Sequence, residues 1–224
     1  MNMLLSSSNH EDSSIRSFQM SQYEEIFLSS FNLDIPLNKC NFEVKKFRSQ
    51  FNSSKMELSK KLYQFFNKEG FNNCLPKNIE ITWNNRLITT AAVCYNRLKR
   101  DKCGAKFRSS RIEFSSKVID SCERLRDTLI HEMCHISAWF ISGCKAGHGP
   151  LWKKWVNKVM ARFPELPVIE ERHNYIIKTK YTYKCNKCGN NINRHSKLIN
   201  TSVKFCVIKN CYGILQLLIN SDKL

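Results

Sequence analysis

Apolar residues recur at helical spacing in three stretches of this chain and alternate at strand spacing in three others. Between residues 38 and 70, Phe42, Phe47, Phe51, Met56, Leu58, Leu62, Phe65 and Phe66 predict one or two amphipathic helices, with Gly70 as the stop. Residues 79–83 (I-E-I-T-W), 89–95 and 111–114 (R-I-E-F) read as strands, and Asn84-Asn85 suits a turn between the first two. Residues 99–106 (K-R-D-K-C-G-A-K) are polar and read as a loop. Asp120-Ser121 can cap a long helix over 122–141 that Gly143 ends. Pro150 then opens a helix over 151–162, closed by Phe163-Pro164. After Arg172 the helical period disappears, and Tyr, Lys and Cys alternate. The pattern predicts an α+β protein: helices with a small sheet, then a small module of different texture.

Residues 1–38 differ from the rest. They are rich in serine and carry Glu11, Asp12, Glu24, Glu25 and Asp34 against the single Arg16. Such a composition predicts a mostly disordered tail. Tyr23, Ile26, Phe27, Leu28 and Phe31 leave open a short helix that docks on a partner.

Charge sharpens this picture. The 224 residues hold 36 Lys+Arg against 19 Asp+Glu, a net charge of +17, which favours an acidic partner, nucleic acid first. No apolar run is long enough for a transmembrane helix, and the first ten residues lack the basic start of a secretory signal. Eleven cysteines in a chain without a secretion signal are expected to be thiols or metal ligands rather than disulfides.

Residues 131–135 read H-E-M-C-H. Histidines at i and i+4 lie one turn apart on nearly the same helix face, so His131 and His135 can present both imidazoles to one Zn²⁺. Glu132, at the edge of that face, can take a proton from an attacking water without itself being a ligand. Asp127 is a nearby carboxylate, either supporting the site or on the surface. The bland reading, two histidines on an amphipathic helix, stands until a third ligand is found. A metzincin would place Gly and His where this chain has Ala138 and Ile141, so that pattern fails. Of the later histidines, His148 sits in G-C-K-A-G-H-G-P-L-W, where glycines let the chain reverse over the helix. A His131, His135 and His148 set leaves a fourth position open for water, as catalytic zinc requires. Cys134 and Cys144 are rival ligands; a closed shell would make the site structural. A nucleobase deaminase needs H-x-E with P-C-x-x-C, and neither occurs near this helix.

A second constellation follows. Cys185-x-x-Cys188-Gly and, further on, Cys206-x₄-Cys211-Tyr-Gly213 have the makings of a structural Cys₄ zinc ribbon, with an unusually long second pair. Around them Lys178, Lys180, Lys184, Lys187, Arg194, Lys197, Lys204 and Lys209 meet no acidic residue between 173 and 211. The interleaved Tyr175, Tyr181, Tyr183, Phe205 and Tyr212 are candidate platforms for unpaired bases. This pairing of cations and rings predicts nucleic-acid contact.

L-R-D-T-L-I-H-E-M-C-H, H-G-P-L-W, F-P-E-L-P, H-N-Y, Y-K-C-N-K-C-G and C-Y-G-I-L, in this order, resemble the SprT-like metalloprotease family of Spartan relatives, closest to the germ cell nuclear acidic protein branch. The resemblance covers residues 39 to 219. It implies a zincin-like protease domain over 39–172, a nucleic-acid-binding zinc ribbon over 173–219 and a short tail over 220–224. It implies one catalytic Zn²⁺ on His131, His135 and His148, Glu132 as catalytic residue, and one structural Zn²⁺ on Cys185, Cys188, Cys206 and Cys211. The expected activity is that of a nuclear, DNA-stimulated endopeptidase that cleaves proteins covalently crosslinked to DNA. Single-stranded or partly unpaired DNA is the expected activator. The alternative is a non-catalytic DNA- or RNA-binding zinc protein. Within these residues there is no long acidic region, and recruitment motifs of the kind Spartan carries beyond its protease and DNA-binding regions are not expected.

Overall fold

The computed structural model describes residues 21–143, 147–172, 175, 179, 181–194, 197, 205–208 and 210–218. They form a mixed α+β protein in which helices α1 (Gln22–Ser29), α2 (Phe42–Ser49), α3 (Phe51–Glu69), α4 (Cys122–Phe140) and α5 (Pro150–Arg162) accompany two small sheets. The first sheet contains β1 (Glu80–Asn84), β2 (Ala92–Arg100) and β3 (Lys106–Ser115); the second contains β4 (Tyr181–Cys185), β5 (Asn191–Arg194) and β6 (Leu215–Leu218).

Helix α4 is the spine. It begins where Ser121 Oγ accepts the backbone N–H of Arg124 at 3.2 Å. It ends where Gly143, at φ +70°, donates its N–H to the Trp139 carbonyl. That positive φ is what calls for glycine at position 143. Helices α3 and α5 pack on α4, and β2 and β3 lie against it. Leu125, Leu129, Met133 and Ile136 are fully buried in that sandwich. The one or two helices expected over 38–70 are two, broken at Gln50, whose ψ of 37° is not helical.

Sheet order overturns one expectation. β1 and β2 are not a hairpin: the order is β1-β3-β2, with β1 parallel to β3 and β2 antiparallel to it. Asn84 does make a local turn, its Oδ1 accepting from Arg86 N–H at 2.7 Å, but the chain then crosses so that β3 enters between its predecessors. The polar stretch over 99–106 turns at residues 101–105, as expected of a loop, but the β2–β3 ladder runs into both of its ends, to Arg100 opposite Lys106. Lysine and arginine alternation obscures the strand because both faces of its outer half are exposed.

The expected tail is corrected from residue 21 onward. Ser21 and Glu24 form a reciprocal capping box that starts α1. Phe27, Leu28 and Phe31 are buried in the main core, and Phe27 packs edge-on to Phe31 at 5.1 Å. Arg48 of α2 then ties down the following loop by donating to the carbonyls of Ser30, Asn32, Leu33 and Ile35. Composition alone misleads in this segment because its few apolar residues fall on one helix face. Residues 1–20 lie outside the described residues. Among the described residues no helix is long and apolar enough to cross a membrane.

Phe31→Ala is expected to cost about 3–5 kcal/mol, the range for emptying a buried aromatic site. Urea unfolding of the variant checks this; a loss below about 1 kcal/mol would mean that α1 is not part of the domain.

Candidate metal centres

His131 and His135 sit one turn apart on α4, and His148 immediately precedes Gly149 and Pro150, which open α5. Their Nε2 atoms converge: His135 and His148 each lie 3.2 Å from His131. A tetrahedral zinc with Zn–N near ~2.0–2.1 Å separates its nitrogen donors by roughly 3.3–3.4 Å, so these three fit the ion. Among the described residues no fourth donor joins this group. Cys134 is buried beside the site but is not in the cluster, and Cys144 lies outside the described residues. Asp127 does not support the site; it pairs with Arg126 at 2.7 Å.

Sequence reasoning misses two supports of the centre. The Trp152 indole, one turn into α5, packs on all three imidazoles with centroid distances of 5.0, 5.6 and 4.7 Å to His131, His135 and His148. The spacing of H-G-P-L-W holds that signal, since Trp152 falls four residues after His148. The second is the Glu170 carbonyl, which lies 3.0 Å from His131 Nδ1 and so orients that ring with Nε2 toward the cluster. A backbone partner leaves no trace in side-chain patterns.

Burial sets the protonation of the site. Desolvation pushes the Glu132 carboxyl up to about 8, while burial and the neighbouring His148 hold His135 down to about 4. His148 is also lowered, chiefly by burial. Both shifts favour the neutral form of His135 and His148, the form that ligates a cation. All of this faces a cavity of about 520 Å³, lined by residues 89–94 and Asn96 on one side and by Glu171, Arg172 and Tyr175 on another. The strand over Arg111 to Phe114, although it precedes the metal-site helix in sequence, is the central strand and has both edges occupied. It is β2 whose outer edge pairs with no strand among the described residues, and β2 borders the cavity.

The second centre gathers Cys185, Cys188, Cys206 and Cys211, with all four sulfurs within 4.8 Å of one another. Cys185 and Cys211 are 3.6 Å apart, as are Cys188 and Cys206, against roughly 3.8 Å for sulfurs tetrahedral on zinc at ~2.3 Å. The backbone N–H groups of Cys188 and Lys187 point at Cys185 Sγ and hold its thiol down to about 6. The long second pair is accommodated by left-handed turns at Asn210 (φ 63°) and Tyr212 (φ 52°). Gly213 is required there because a Cβ would run into Cys185 Sγ and stand 2.8 Å from Lys187 Cβ. Of the five buried residues in this module's core, Cys185 and Cys211 are themselves donors, so little apolar packing remains without a metal.

Lys184, Lys187, Arg194 and Lys197 are exposed on the module, whereas Lys178, Lys180, Lys204 and Lys209 lie outside the described residues. The aromatic set divides. Tyr183 is core, Tyr175 lies under the Arg124 guanidinium beside α4, and Phe205 and Tyr212 stand exposed.

These residues match a known family. The SprT-like family profile covers residues 59–173, and the chain belongs to that family. It is similar to the germ cell nuclear acidic protein of Drosophila melanogaster, with 38% identity over 194 residues, 87% of this chain and 18% of the relative. The human germ cell nuclear acidic protein is 37% identical over 163 residues, 72% of this chain and 23% of the relative. Germ cell nuclear acidic-1 protein of Caenorhabditis elegans is 34% identical over 173 residues, 76% of this chain and 31% of the relative. The chain thus spans less than a third of the length of each. No solved structure matches it.

Two zinc ions per chain are expected by elemental analysis of purified protein. His135→Ala should leave one, the ribbon's, and Cys185→Ser should leave the other; two ions in His135→Ala would remove the histidine centre.

Proposed function

We propose that this chain is a zinc endopeptidase that cleaves proteins covalently held on DNA, working in the nucleus, where germ cells are the setting suggested by its relatives' names. The observation that carries the reading is the convergence of three imidazoles beside a buried carboxylate, in a cavity bordered by a strand edge that is unpaired among the described residues. His131, His135 and His148 would hold the catalytic ion; when bound, Zn²⁺ polarises a carbonyl and lowers the pKa of water toward about 7.

The protein's own groups supply the rest. An extended substrate segment adds to the outer edge of β2 through main-chain hydrogen bonds, which read backbone rather than side chains. That suits a peptidase whose targets share only their attachment to DNA. Glu132, raised by burial, takes the proton of the attacking water on its carboxylate and delivers it to the leaving amine nitrogen. Trp152 excludes water from one side of the imidazoles and fixes their orientation. Selectivity then comes from tethering, because DNA bound to the same chain raises the local concentration of the protein attached to it. The Cys₄ module supports this role with exposed cations and with Phe205 and Tyr212 as platforms for unpaired bases.

Glu132→Gln is expected to slow cleavage of a DNA-crosslinked protein by about 10²–10⁴-fold, with zinc content unchanged. Cleavage that persists at the original rate in a gel assay would return the histidine centre to a structural role.

A further inference from the structure

The basic character of this chain is not confined to the Cys₄ module. Residues 97–111 carry seven Lys or Arg and one acidic residue, Asp101. Asp101 is already engaged, since its carboxylate accepts the N–H groups of Cys103 and Ala105 at 2.9 Å to close the turn. This stretch is the outer half of the β2–β3 hairpin. β1 covers β3 only from Arg111 to Ser115, so the ladder from Asn96–Ser110 to Arg100–Lys106 projects beyond the sheet as a bare two-stranded ribbon. At its end Arg100 stands directly opposite Lys106. Like charges placed so destabilise a ladder, and nothing in the fold needs them there.

The arm is nonetheless braced. Arg108 donates to the Phe140 carbonyl at 2.6 Å and lies over the Trp139 ring, fixing the hairpin to the last turn of α4. On the opposite face, residues two apart on β2 align Tyr95, Arg97 and Lys99 beside Arg111 and Ser109 of β3. These five, with Glu80 at the rim, line a depression of about 180 Å³. Arg111 stacks on Tyr95 at 4.0 Å and reaches Glu113, but Arg97, Lys99, Lys102 and Lys106 form no ion pair with the described residues.

We infer that this hairpin is a second nucleic-acid site, one that grips the phosphate backbone of duplex DNA; the inference rests on the DNA-directed reading above. A two-stranded β-ribbon is one of the few protein elements that B-DNA's major groove admits. Within the depression Arg111 covers one face of Tyr95, so cations rather than open rings dominate its chemistry, as contact with a duplex backbone requires. The placement also gives the site a purpose. The same strand that borders the cavity at Cys94 carries Lys99 five residues on, roughly 17 Å away at strand rise. Duplex held on the arm would present an attached protein beside the cavity.

Fluorescence anisotropy of the full chain on a labelled blunt DNA duplex, titrated with salt, tests this. Arg97→Gln/Lys99→Gln should weaken binding by about tenfold and reduce the slope of log K against log salt by about 0.9 for each phosphate no longer neutralised. Arg97→Lys/Lys99→Arg, which conserves charge, should restore both. Unchanged slope and affinity in the Gln variant would overturn the site, as would equal weakening in the charge-conserving variant. Binding to phosphatidylserine vesicles with none to duplex would also overturn it. The two readings fail separately. If the wild type cuts no DNA-held protein while duplex binding still depends on Arg97 and Lys99, the peptidase reading falls and the hairpin site stands. If cleavage requires Glu132 but duplex binding ignores the hairpin, the hairpin site falls alone.

Discussion

The structure depends on one constraint: α4 must carry polar chemistry while being buried on nearly every side. His131 and Glu132 are almost inaccessible, and their helix neighbours Leu129, Ile130, Met133 and Cys134 are core. Burying an imidazole or a carboxylate among such residues is costly unless each finds a partner. The protein meets that cost locally, with the Glu170 carbonyl on His131, two further imidazoles from His135 and His148, and the Trp152 face. The same burial that makes the site expensive lowers His135 and His148 and raises the Glu132 carboxyl.

The two candidate metal centres differ in what supports them. The histidine centre is assembled by elements that are stable for other reasons: α4 and α5 share a large core, and the donors are added at their surfaces. The cysteine centre has no such support. Its core is little more than Tyr183, Ile192 and Leu215 with two of its own donors, so metal and fold are one problem there. Three donors leave room for a reactant, whereas four close the shell.

The small sheet extends the same economy. Because β3 is central, its two neighbours differ: β1 closes one side of the sheet, and β2 borders the cavity with an edge that is unpaired among the described residues. Beyond the reach of β1 the hairpin has no packing role, and its side chains are free to be cationic. Arg108 is the exception, given over to holding the arm to α4.

Much of this is legible from the chain alone. Capping residues, helix period and the H-E-x-x-H and cysteine spacings mark α4, α5 and both donor sets, because these signals are local. Ser121 and Pro150 act through their own backbone or immediate neighbours. Tertiary structure alone decides what depends on distant partners. Strand order is invisible in the chain because β1 pairs in parallel with β3 across the whole length of β2, which takes the other edge of β3. The role of residues 21–38 is hidden because burial of Phe27, Leu28 and Phe31 depends on what lies opposite them. The Glu170 carbonyl cannot be found in a side-chain pattern. The hairpin's face emerges only when register aligns Arg97 and Lys99 with Arg111. Sequence determines where donors and caps can occur, since those follow from spacing within one element; which edge is free and which cations converge follows from packing between elements.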